Sequence, residues 1–93
     1  MLTFSARRDP FQIGALRAHP MSDGQTVRVT GVLPAGGTDS WTMDARFVPG
    51  PDGLRLREGQ VSQRIDGGWQ LRQLQAGSQF ATTLARVLNR QGL

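Results

Sequence analysis

The stretch GLRLREGQVSQRIDGGWQL, residues 53–71, decides how the chain is read. Leu54 and Leu56 alternate with Arg55 and Arg57, the period of a strand with one apolar and one polar side. Val61 and Ile65 continue the alternation at odd positions, so it slips by one between Glu58 and Val61, with Gly59 in the slip. One long bent strand with a bulge at Gly59 accounts for this best, since a bulge inserts one residue and glycine suits it. The other solution is a tight turn at 58–60 between two short strands. The DGG at 66–68 signals a hairpin, and WQLRQL (69–74) is its returning strand, with Trp69 and Leu71 read as inward.

Upstream, TVRVTGVL (26–33) is rich in β-branched residues and alternates Val27, Val29 and Leu33 with Arg28, Thr30 and Val32. WTMDARFV (41–48) alternates Trp41, Met43, Ala45 and Phe47 with Thr42, Asp44, Arg46 and Val48. PAGGTDS (34–40) and PGPDG (49–53) are turns, because their Pro and Gly residues do not continue a ladder.

Two helices are expected at the ends. In DPFQIGALRAHP (9–20), Asp9 serves as N-cap, Pro10 fits the first helical position, Gln12 completes a capping box and Pro20 stops the helix. In AGSQFATTLARVLNRQGL (76–93), Ser78 caps a helix whose apolar stripe is Phe80, Leu84, Val87 and Leu88. Arg86 and Arg90 lie toward its negative end, and Gly92 terminates it. The fold class is therefore α+β: an antiparallel four-stranded meander flanked by an N-terminal and a C-terminal helix packed on one face, in one small domain spanning 1–93.

Composition bounds the function. Ninety-three residues, 38% of them hydrophobic and 19% charged, support one modest core and no second domain. Without cysteine there is neither a disulfide nor a thiolate metal site. The N-terminal MLTFSARRDPF has no apolar segment of the signal-peptide kind, and no run approaches the ~20 apolar residues that span a bilayer. A soluble cytoplasmic protein without a membrane partner is expected. All eleven basic residues are arginine, as GC-rich coding favours, and the net charge of +4 promotes encounter with anionic partners.

The residues offer little to catalysis. His19 is the only histidine, at the predicted end of the first helix, and there is no cysteine or tyrosine to act with it. No serine sits in G-x-S-x-G. Asp23, Asp39, Asp52 and Asp66 each fall in a turn, where a short carboxylate accepts backbone N–H groups. The paired glycines at 36–37 and 67–68 lack the spacing of phosphate loops, and no cofactor or metal motif is present. Trp41 and Trp69, on the apolar side of their strands, are core residues in this reading.

What remains is arginine. Arg28, Arg46, Arg55, Arg57, Arg64 and Arg72 come from every predicted strand and fall opposite the apolar residues, which makes them the candidate partner- or anion-binding set. A one-sided sheet has a solvated face in any case, and arginine is an ordinary occupant of it. As a functional surface the same residues give guanidinium groups for bidentate contacts. The reading is of a non-enzymatic accessory protein that docks on a protein partner, or on itself, through this face or an edge strand. The alternative is a nucleic-acid-binding module contacting phosphates. A single-strand reader would pair such a face with aromatics, and none is predicted on it.

Overall fold

The computed structural model describes residues 9–34, 40–65 and 67–91. Six strands precede one helix: β1 (Phe11–Ile13), β2 (Leu16–Pro20), β3 (Val27–Pro34), β4 (Ser40–Gly50), β5 (Gly53–Ile65), β6 (Gly68–Gln73) and α1 (Gln79–Arg90). The strands form one antiparallel sheet in chain order, β1 to β6, each pairing with its sequence neighbours. The meander is as expected. Its four strands are six, and the N-terminal helix does not exist.

Residues 9–20 form a hairpin instead. Phe11, Gln12 and Ile13 pair with Ala18, Arg17 and Leu16 across Gly14 and Ala15. Gly14 has φ 60°, which the favoured two-residue hairpin turns require at their first central position and which glycine adopts without a Cβ penalty. Pairing of β2 with β3, from Leu16↔Gly31 to Pro20↔Val27, then supplies backbone partners that an isolated one-turn cap signal cannot match. Leu16 and Ala18 alternate into the core with period two.

The long bent strand is present as β5, thirteen residues from Gly53 to Ile65. Its extra residue, however, is Arg57. Leu56 pairs with Phe47 and Glu58 with Arg46, so Arg57 is the inserted residue, and Gly59 is back in register opposite Ala45. Glycine is needed at 59 for space: a Cβ there would lie 2.9 Å from the Ala45 Cβ and 3.3 Å from Leu56 Cδ1. The bulge lets Leu54 and Leu56 share a side with Val61 despite the change of parity.

One side of the sheet carries the core. Val27, Val29, Met43, Ala45, Phe47, Leu54 and Leu56 are buried there with Leu16 and Ala18, under Ala81, Leu84 and Leu88 of α1. The helix packs on β5. Its N-cap is Ser78, whose Oγ accepts from the Ala81 N–H at 3.2 Å, as the sequence indicates. The buried stripe is 81, 84, 88 rather than one starting at Phe80, which is 41% exposed. Gly92 lies outside the described residues, as do the turn residues 35–39 and Asp66.

Candidate functional site

The side of the sheet away from α1 is open, and strand pairing fixes what it presents. Opposed residues of antiparallel strands share a face. One row across the open face is therefore His19, Arg28, Arg46 and Glu58; the next is Arg17, Thr30, Asp44, Gln60 and Gln73. Beyond these lie Val32, Thr42, Ser62 and Leu71, and at the far end Arg64 opposite Trp69.

Five of the six candidate arginines belong to this face. Arg28 is already engaged: its Nε and Nη2 donate to the Asp44 oxygens at 2.9 and 2.6 Å, a bidentate fork between neighbouring strands. Those hydrogen bonds hold the Asp44 carboxyl below its usual value, Arg46 and His19 add to the effect, and partial burial opposes it. Arg46, Arg55 and Arg64 are exposed, and Arg57, exposed on the bulge, lines a recess with Arg46, Glu58 and the loop residues Met21 and Asp23. Arg72 pairs with Val61 and so lies on the α1 side of β6, apart from the rest.

The same register overturns the inward reading of Trp69 and Leu71. Ile65 pairs with Gly68 across two residues, so Arg64 meets Trp69 and Ser62 meets Leu71 on the open face. Trp69 is 60% exposed and Leu71 65%, and Val32, three strands away at the other end of the row of Leu71, is 56%. Counting across the two-residue hairpin from an outward Arg64 gives this result from sequence alone. Trp41 differs: it is half-buried and opposite Gln63, on the helix side. Arg17, predicted in a helix, joins the open face through its pairing with Thr30.

His19 and Asp23 have structural partners. His19 does not end a helix; it sits on β2 with Nε2 3.2 Å from Thr30 Oγ1. Asp23 is a turn residue as expected, its Oδ1 accepting from the Gln25 and Thr26 N–H groups at 2.8 Å each and its Oδ2 from the Thr26 hydroxyl at 2.6 Å. Those bonds, the Thr26 hydroxyl first, lower its pKa. Asp39 and Asp66 lie outside the described residues. Among the described residues no three His, Asp or Glu side chains gather to hold a metal ion, and no helix is long and apolar enough to cross a membrane. A groove of about 480 Å³ runs between α1 and the start of β5, lined by Leu54, Leu56, Ala81, Ala85 and Asn89.

The chain matches no protein-family model, and neither a curated protein nor a solved structure is similar to it. The open face combines exposed guanidinium groups with an apolar end in which the Trp69 ring stands beside Arg64.

Proposed function

We propose that this chain is a cytoplasmic, non-enzymatic interaction domain that docks on another protein through the open sheet face, at the end formed by β6. The observation that carries the reading is the exposure of Trp69 and Leu71, side by side on the open-face side of β6, next to Arg64. Burial of large apolar side chains is the main source of binding free energy, and Trp and Arg dominate energetic hot spots. Arg46, Arg55 and Arg57 lie on the same face toward its opposite end, where their positive charge favours approach of an acidic partner surface. Arg28 and Arg72 take no part, the first being held by Asp44 and the second lying on the other side.

The test is affinity capture from the source cell with the wild-type chain and with the double variant Trp69→Ala, Arg64→Glu. A protein retained by the first and lost by the second, with unchanged melting of the bait, supports docking through this end. Equal retention by both overturns it.

A second reading rests on the same tryptophan. An exposed ring beside arginine on an open sheet is how single-strand binders hold bases and phosphates together. Nucleic acid should then quench Trp69 emission at about 50 mM salt and lose that effect by about 200 mM, as counterion release requires. No quenching at the lower salt removes this reading and leaves the first.

A further inference from the structure

We infer that the partner of the β6 end is a second copy of this chain, joined edge to edge through β6 in antiparallel pairing with Leu71 facing Leu71 of the second copy. The inference rests on reading the β6 end as an interaction surface and names its occupant. All six residues of β6 are exposed, and it is an edge strand with a neighbour on one side only. Across the hairpin the closing pair is Ile65↔Gly68, and the Leu74 N–H donates to the Gly59 carbonyl at 2.8 Å. The residues of β6 that turn their backbone toward β5 are thus Gly68, Gln70 and Arg72, and Trp69, Leu71 and Gln73 turn theirs outward. Three consecutive outward N–H and C=O pairs form a row of unpaired edge groups, which is complementary to itself under a two-fold axis.

Centring that axis on Leu71 pairs all three: Leu71 with Leu71, Trp69 with Gln73 and Gln73 with Trp69 of the second copy. A centre on Gln70 leaves Gln73 opposite the hairpin turn, and a centre on Arg72 sets two guanidinium groups against each other. With the Leu71 centre, Arg72, the only charged residue of β6, faces Gln70 of the second copy. Trp69 and Leu71 from both copies then form one apolar cluster on the open face, each Trp69 diagonal to the opposing Leu71 and within its reach. The devices that usually protect an edge are missing here: β6 has no proline, no bulge and no charge on its open-face side. The opposite edge, β1, is only three residues long.

Light scattering and sedimentation of the whole chain test the inference. The expected mass is twice 10.1 kDa, with a dissociation constant raised at least tenfold by Gln73→Pro, which removes one outward donor and leaves Trp69, Leu71 and Arg64 in place. Should Gln73→Pro fail to fold, Leu71→Lys serves instead. The chain has no cysteine, so Leu71→Cys gives a clean register probe. It should form a disulfide-linked dimer in air where the exposed helix residue Thr83→Cys does not. A wild-type chain that stays monomeric at high concentration overturns the second-copy inference, as does a dimer untouched by these variants. A monomer that still captures a different protein through Trp69 and Arg64 overturns the inference but not the docking reading; loss of both overturns both.

Discussion

Asn89, on the last turn of α1, brackets the backbone of Leu54 at the start of β5. Its Oδ1 accepts from the Leu54 N–H at 2.8 Å and its Nδ2 donates to the Leu54 carbonyl at 3.4 Å. β6 pairs with β5 only from Gln60 to Ile65, so the first half of the β5 outer edge has no strand beside it. The amide supplies one residue of strand in its place and fixes the end of the helix to the sheet.

Asn89→Ala should therefore destabilise the fold. Leu54 is 7% exposed, and a buried backbone pair left without partners costs about 1–3 kcal/mol. Urea denaturation measures it. Asn89→Asp, which keeps the acceptor and loses the donor, should fall between the two, and exposed Arg90→Gln should change little.

At Gly59 the limit is volume. Gly59→Ala places a methyl group 2.9 Å from the Ala45 Cβ and should cost about 1–3 kcal/mol through overpacking. Gly77→Ala, with nothing within 4 Å of the added carbon, should be close to neutral in the same melt.

The two tryptophans should separate spectroscopically. Trp69 should be quenched by acrylamide in the monomer far more readily than half-buried Trp41, as single-tryptophan variants can show. Trp69→Ala should leave monomer stability within about 0.5 kcal/mol, whereas Phe47→Ala, at a fully buried site, should cost about 3–5 kcal/mol.

Acid should loosen the link between β3 and β4. Asp44 has a folded-state pKa below its ordinary 3.8, so its contribution is complete above the unfolded-state value and is lost as pH falls through the lower folded-state value. Asp23 acts in the same direction. Asp44→Asn should make the melting temperature less sensitive to acid below about pH 4. The effect will be modest, since both side chains of the Arg28–Asp44 pair are about 40% exposed.

The strands of the central meander were legible because each alternates over five or more residues and is closed by Pro, Gly or Asp. The C-terminal helix was legible through Ser78. Residues 9–20 misled because Asp9, Pro10 and Gln12 satisfy every local condition for a helix start, while the hairpin depends on pairing with β3, which lies outside that window. Trp69 and Leu71 misled for a different reason. Hydrophobic character points to burial, but on an edge strand the face is set by register, and Arg64 sets it outward. The arginine face was therefore largely legible, and its apolar end was not.

The bulge at Arg57 also makes the sheet unevenly tolerant of changes in chain length. Leu56↔Phe47 and Glu58↔Arg46 flank the inserted residue, so deleting Arg57 would leave an unbroken ladder with every neighbour still on its own face. Removing a residue from the middle of β3 or β4 would instead turn the rest of that strand over, bringing arginine into the core and valine or phenylalanine to water. Position 57 is thus where the sheet can lose a residue and keep its two sides distinct.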